Sequence, residues 1–292
     1  MLALAALIAV TAVWGVTFVQ VKDAVEVYPL FAFLAVRFAI AGLTLAVPAA
    51  TRVRGLGWRG VRAGVLLGGL LAAGYAFQTA GLERTSVSAT GFVTGMYVVL
   101  TPIFALALFR IRSGTAVWLG VGLATVGLAM LSGIGGGEVE GNLLVLAGAA
   151  AYSLQITLME RYAPQHDPLA LTFVEMLAVL GALGAIALVR GDLSTPHGWA
   201  VWSALLVTGV FASALAFLVQ SWAQRRASAA RTALAFAMEP VFAAIFGIAL
   251  AGDRLGTLGW GGCAVIMAGI VMAEPASARA AARLVGVART PV

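Results

Sequence analysis

Three ionisable residues lie inside long apolar stretches of this 292-residue sequence: Arg37, Glu175 and Glu239. A charge in such a place costs about 3 kcal/mol or more and is kept where it meets a partner, a water-filled path or a ligand. The chemistry on offer is therefore ion pairing, carboxylate recognition or proton relay. Arg37 and Glu175 stand 138 residues apart and are repeat counterparts, as shown below. At 1.5 Å of rise per residue, Glu239 comes closer to the level of Arg37 than Glu175 does, which makes Glu239 the expected partner of Arg37. Two readings of that pair stand side by side. It is either a structural ion pair joining two parts of the chain, or a site that binds a carboxylate or passes a proton.

Aromatic and amide side chains recur in the same stretches: Trp14 with Thr17, Tyr75 with Gln78, Tyr97, and Tyr152 with Gln155. The spacing i to i+3 places each pair on one helix face. Rings at the ends of apolar runs, such as Trp58, Trp118, Trp199 and Trp260, suit the lipid interface. Rings deep inside a run need partners for their polar atoms, so the seven inner residues are the expected substrate-binding set. Pro102 and Pro240 each remove a helical hydrogen bond, freeing the carbonyls of Val98 and Phe236. Protein or cavity water must satisfy those carbonyls, and the two prolines are expected as hinges, as presenters of carbonyls to an ammonium group, or as packing kinks. Gly64-x3-Gly68 and Gly91-x3-Gly95 read as close helix contacts.

Other chemistry is excluded. The glycine run 133–137 is followed by Glu138 and lacks the Lys-Ser/Thr of a phosphate-binding loop, so it reads as a linker. There is no HExxH zinc motif and no nucleophile elbow. One cysteine, Cys263, and two separated histidines, His166 and His197, leave no disulfide framework or metal site. No catalytic residue, metal or cofactor is expected. A membrane enzyme or a passive channel is the alternative class.

The elements that position these residues follow from composition. With 62% hydrophobic and 10% charged residues, and a mean hydropathy of +1.01, the solvent for most of the surface must be lipid. Cut at its charges and Pro/Gly clusters, the chain gives ten apolar runs: 2–21, 30–50, 61–82, 87–109, 115–133, 141–159, 168–189, 199–222, 229–250 and 255–273. Each approaches the roughly 20 residues that span a bilayer. The first has no basic segment before it and is longer than the apolar part of a signal peptide, so it reads as a retained helix. With the N-terminus cytoplasmic, thirteen Lys/Arg fall inside and four outside, and the net charge of +6 serves orientation rather than nucleic-acid binding.

The chain also repeats. At an offset of 142, Gly114-Thr115, Trp118, Gly120, Gly127 and Met130 match Gly256-Thr257, Trp260, Gly262, Gly269 and Met272, six identities in seventeen positions. Pro102-Ile103-Phe104-Ala105 matches Pro240-Val241-Phe242-Ala243 at 138, and Ser88-Ala89 matches Ser228-Ala229 at 140. Five runs per repeat is an odd number, so the second half enters the membrane from the opposite face. The expected fold is an all-α integral membrane protein of ten transmembrane helices in two inverted five-helix repeats, residues 1–137 and 138–275. A cytoplasmic basic tail follows at 276–292, and both termini are cytoplasmic. Secondary transporters are often built this way.

Several stretches resemble the EamA-type drug/metabolite transporters: Trp14-Gly15-Val16-Thr17-Phe18-Val19, Arg37-Phe38, Gly81-Leu82 through Ser86-Val87-Ser88-Ala89 into Leu100-Thr101-Pro102-Ile103-Phe104, and Met238-Glu239-Pro240-Val241-Phe242. Where that family often closes its ninth helix with Glu, this sequence has Asp253. The resemblance implies a monomeric, multi-pass carrier of small metabolites in a bacterial inner membrane, surrounded by lipid. Amino-acid exporters, including those for aromatic amino acids, form the branch it suggests.

Overall fold

The structure is a computed structural model and describes residues 2–82, 84, 90, 93–132, 139–242, 245–246, 256–270 and 272; among them there is helix and no strand. The helices are α1 Leu2–Val27, α2 Leu30–Ala49, α3 Gly57–Leu82, α4 Tyr97–Phe109, α5 Thr115–Ser132, α6 Val139–Tyr162 and α7 Pro168–Arg190. They continue with α8 Trp199–Gln224, α9 Ala229–Phe236 and α10 Thr257–Ile270. By length and composition α2, α3, α6, α7 and α8 are each able to cross a membrane, and Leu2–Thr17, Val93–Phe109, Thr115–Met130 and Thr257–Ile270 are shorter apolar helices. Ser86 to Ala89, Gly91, the 133–138 linker, Asp253 and the basic tail lie outside the described residues.

Helix occurs in every one of the ten apolar runs, with three differences from expectation. The first helix runs on to Val27, so Asp23 and Glu26 ride on its last turns instead of a loop. Inside α8 the turn Val210–Leu215 is π-helical. The ninth run is broken: α9 stops at Phe236, the chain turns at 237–238 and is helical again at 239–242. Pro240 explains the break, since it cannot donate to Phe236. Pro102 has no such effect, and α4 stays helical through it.

Local chemistry sets the helix ends. Asp167 caps α7, its carboxylate accepting from the backbone N–H groups of Leu169 (3.1 Å) and Ala170 (3.0 Å), with Pro168 in the first turn. Arg52 reaches the same carboxylate at 2.9 Å. Burial pushes the Asp167 carboxyl up, but the Ala170 and Leu169 amides and Arg52 outweigh it and hold the group below the ordinary range. Gly191, at φ 72°, closes the helix in the left-handed conformation.

Glycines decide which helices approach closely. A Cβ on Gly64 would lie 2.8 Å from Val174 Cγ1, and one on Gly68 would collide with the carbonyl oxygen of Glu175, so α3 seats directly on α7. Across the repeat, a Cβ on Gly209 of α8 would lie 2.7 Å from Ile40 and 3.0 Å from the carbonyl oxygen of Arg37. A third contact is reciprocal. Gly127 of α5 meets the carbonyl of Gly262 of α10, and Gly269 of α10 meets that of Gly120 of α5, each at 2.7 Å from an added Cβ. Residue numbers rise along one helix as they fall along the other, so α5 and α10 pack antiparallel. The most extensive contacts set α3 against α6 and α7, and α2 against α7. Of the apolar cores that result, the two largest lie around α2, α7 and α8 and around α4, α5, α9 and α10, and Trp14 packs against both.

Candidate functional site

At the junction of the two cores stands Arg37, only 6% exposed. Its Nε donates to Ser213 Oγ at 2.8 Å, and its Nη2 donates to Tyr75 Oη at 3.3 Å and to the Ala212 carbonyl at 3.5 Å. The guanidinium lies 5.2 Å from the centre of the Tyr75 ring and 5.5 Å from that of Phe38, within the range of cation–π attraction. The π-turn supplies two of these partners. One extra residue per turn displaces backbone groups from the usual ladder, and the Ala212 carbonyl accepts from the Trp14 indole N–H at 2.8 Å.

The expected ion pair with Glu239 is not formed. Among the described residues the ion pairs are Arg52–Asp167, Arg84–Glu140 and Arg190–Asp192, all on exposed or half-buried side chains near helix ends. Arg37 takes neutral partners instead, because the π-turn of α8 brings Ser213 to its Nε. Glu239 is held beside the Tyr97 hydroxyl. The result is a buried cation that forms no ion pair with a carboxylate among the described residues.

Rings and amides surround it. Tyr75 stands edge to face between Phe38 (centroids 5.1 Å apart) and Tyr152 (5.5 Å). Tyr152 Oη donates to Gln78 Oε1 at 3.2 Å, and Gln78 Nε2 donates to Thr94 Oγ1 at 2.9 Å. On the other side Trp14 packs on Phe236 at 4.8 Å and Phe217 at 5.9 Å. Tyr97 Oη donates at 2.8 Å to the Phe236 carbonyl, the one that Pro240 leaves without its helical partner. Trp14, Tyr75, Gln78, Tyr152 and Glu239 remain half-buried, whereas Thr17, Tyr97 and Gln155 are buried. Among the described residues, Thr17 bonds to the Trp14 carbonyl of its own helix, at 2.9 Å. Pro102 is buried next to Thr101, whose hydroxyl bonds to the Tyr97 carbonyl and to Ser153.

Gln155 turns away from the rings. Its Nε2 donates to Glu175 Oε1 at 2.8 Å, and its Oε1 accepts from Gln220 at 2.9 Å. Glu175 is fully buried, and the Gly68 contact puts α3 against its backbone. The candidate residues thus form two groups, an aromatic one with Arg37 at its centre and an amide one with Glu175 at its end. Sequence reasoning missed Ser213, Phe217, Phe236, Gln220 and Gln224. For the glutamines a signal was present, two amides four residues apart in an apolar run.

Comparison with known proteins agrees with this architecture. Over 263 residues the chain is 31% identical to an uncharacterized transporter of Archaeoglobus fulgidus, covering 90% of this chain and 82% of that protein. It is 26% identical over 277 residues to the uncharacterized inner membrane transporter YedA of Escherichia coli, covering 91% and 89%. A solved crystal structure superposes with a TM-score of 0.78 at 19% identity, over 94% of this chain and 96% of that one, which shows a shared fold. The profile of the EamA-like transporter family matches twice, at residues 1–133 and 139–273. With both halves of its apolar helices matched in this way, the chain belongs to the EamA-like transporter family.

Proposed function

We propose that the protein is a monomeric secondary carrier that moves amino acids with aromatic or other neutral side chains out across a bacterial inner membrane. The observation that carries this reading is Arg37, a buried cation with no ion-pair partner among the described residues, set among Trp14, Tyr75, Gln78 and Tyr152. A substrate carboxylate would complete its hydrogen bonding, and the rings offer an apolar, stackable surface to a side chain. Glu239 and the kinked backbone at Phe236 are acceptors on the side where an ammonium group would lie. Trp14, Tyr75, Gln78 and Tyr152 are the proposed contacts, with Pro240 as the hinge.

Transport would proceed by alternating access between two inverted five-helix halves, with both termini cytoplasmic. The antiparallel packing of α5 on its repeat counterpart α10 supports the inversion, because two repeats of the same orientation would bring equivalent helices together in parallel.

Counterflow in liposomes tests the carrier. External unlabelled L-phenylalanine or L-tryptophan should stimulate uptake of the corresponding tracer, and an enzyme or an open channel would show no such stimulation. For topology, a cysteine placed at Asp192 should react with an impermeant thiol reagent from outside, and one at Arg54 should not.

A further inference from the structure

Glu175 ends a chain of side-chain amides sealed from the aromatic group. Gln224 Nε2 donates to the Ile156 carbonyl at 2.8 Å, Gln220 Nε2 donates to Gln224 Oε1 at 2.8 Å and to Gln155 Oε1 at 2.9 Å, and Gln155 Nε2 donates to Glu175 Oε1 at 2.8 Å. All four side-chain residues are at most 1% exposed. Two acceptors in the chain are buried without a hydrogen-bond partner, Glu175 Oε2 and Gln220 Oε1. Leaving such groups unpaired costs about 1–3 kcal/mol each, so the observed polarity of the chain is incomplete.

A second polarity is available, which gives Gln220 Oε1 a donor and leaves Gln220 Nε2 as the unpaired amide group instead. If a proton sits on Glu175, its O–H can donate to Gln155 Oε1 once that amide turns over. Gln155 Nε2 then points at Gln220, which must turn as well and accept through the Oε1 that is now unpaired. That in turn sets Gln220 Oε1 against Gln224 Oε1. Gln224 must also turn, and it gives up its bond to the Ile156 carbonyl, which ties the end of α8 to α6. Amides suit this relay because turning one over exchanges donor and acceptor without moving the backbone.

We propose that Glu175 is the proton-binding site that couples this carrier to a proton gradient, with the Gln155–Gln220–Gln224 chain transmitting its state to the α6–α8 contact. One proton passes from water to a carboxylate oxygen, forming an O–H bond; the same bond breaks when the proton leaves to water on the other side. No other covalent bond changes. The inference rests on the carrier reading above.

Away from the helix ends, the ionisable groups on the elements around Glu175 are Arg37 on α2, Tyr75 on α3, Tyr152 and Glu160 on α6, and Glu239 beyond α9; Arg59 and Arg62 of α3 and Glu140, Arg161 and Tyr162 of α6 stand at the ends of those helices. Arg37 is held by Ser213 and Tyr75, and the Glu160 carboxylate accepts from the Ala229 N–H at 2.7 Å. From α8, Gln220, Ser221 and Gln224 are buried beside the chain, and none of them ionises. None of these groups forms an ion pair with Glu175 among the described residues.

Two measurements on the full chain test the site. Infrared difference spectra recorded across a pH step, without substrate, should show a carboxylic-acid band that is lost in Glu175→Gln. The same band persisting in that variant would overturn the proposal, whether or not the protein carries amino acids. In liposomes, with tracer L-phenylalanine as the probe and one proton per cycle, a gradient of one pH unit should sustain about a ten-fold tracer gradient. Glu175→Gln should keep counterflow and bring the tracer only to equal concentrations. Gln155→Leu, which leaves the carboxyl and cuts the chain, should keep the infrared band and lose the tracer gradient. Accumulation by Glu175→Gln under the pH gradient, or wild-type accumulation driven by sodium instead, would refute it.

Discussion

Arg37 and Glu175 occupy equivalent places in the two halves and have opposite surroundings. Each lies on the second helix of its half, 138 residues from the other. Against the backbone of each is pressed a glycine from the third helix of the opposite half, Gly209 on Arg37 and Gly68 on Glu175. The scaffold is shared but the environments are not. Arg37 meets a π-turn and the rings of Tyr75 and Phe38, and its neighbours Trp14 and Tyr75 stay half-buried. Glu175 meets a closed chain of amides, with an oxygen left over. One fold element thus holds two different groups, a cation beside half-buried rings in one half and a carboxyl in a closed chain of amides in the other, and side chains rather than helix positions make the difference.

The strongest way to break this arrangement is at the glycines. Gly68→Val would force a methyl group into the Glu175 carbonyl, which is backbone and cannot turn aside. No folded, monodisperse protein is expected, as judged by size-exclusion chromatography in detergent. Gly209→Ala meets mainly the Ile40 side chain, which can shift, so a loss of about 1–3 kcal/mol seen as a lower melting temperature is expected. A Gly68→Ala protein as stable as Gly209→Ala would remove this difference between the two contacts.

Arg37→Met should lower L-phenylalanine counterflow about ten-fold or more, since hydrogen bonds to charged groups contribute about 1.5–3 kcal/mol. As Arg37 and Glu239 are not paired, the stability effects of Arg37→Met and Glu239→Gln should add to within about 0.5 kcal/mol in the double variant. Recovery of stability in that variant would reveal a direct pair.

A smaller effect separates the rings. Tyr75→Ala and Tyr152→Ala should reduce transport of L-tryptophan about two- to ten-fold more than that of L-alanine, because stacking and buried area grow with the side chain. Uniform losses would assign both tyrosines to packing.

The smallest effect lies outside the site, at the α7 cap. The folded Asp167 carboxyl titrates below its unfolded value, so its contribution to stability is present above the unfolded pKa and is lost as pH falls through the folded one. Asp167→Ala should cost about 1 kcal/mol at neutral pH and less in acid, where only the neutral cap remains to be lost, whereas Asp167→Asn keeps the cap and loses only the Arg52 pair. Thermal melts at several pH values distinguish these outcomes.

Much of this was legible in the sequence, for reasons that can be named. Apolar runs fix where helices form, because hydrocarbon leaves the backbone no other partner. The intramembrane charges singled themselves out, and the carbonyl that Pro240 frees at Phe236 does find a protein donor, Tyr97. The partner of Arg37 was not legible. A π-turn leaves no mark on the periodicity of an apolar stretch, and Ser213 alone looks like any small residue there. Nor was the Gly68–Gly209 equivalence visible, since it falls at an offset of 141 among apolar letters, whereas the charged pair it serves is offset by 138.

The reciprocal glycine contact of α5 and α10 has a consequence for ancestry. An interface in which Gly127 meets Gly262 while Gly120 meets Gly269 is isologous, the kind two identical molecules form about a two-fold axis. A chain of half the length would carry both the protruding carbonyl and the glycine that receives it. Two copies docked through this one self-complementary surface would pack these helices antiparallel, as α5 and α10 pack here, an arrangement that joining the copies into one chain would preserve.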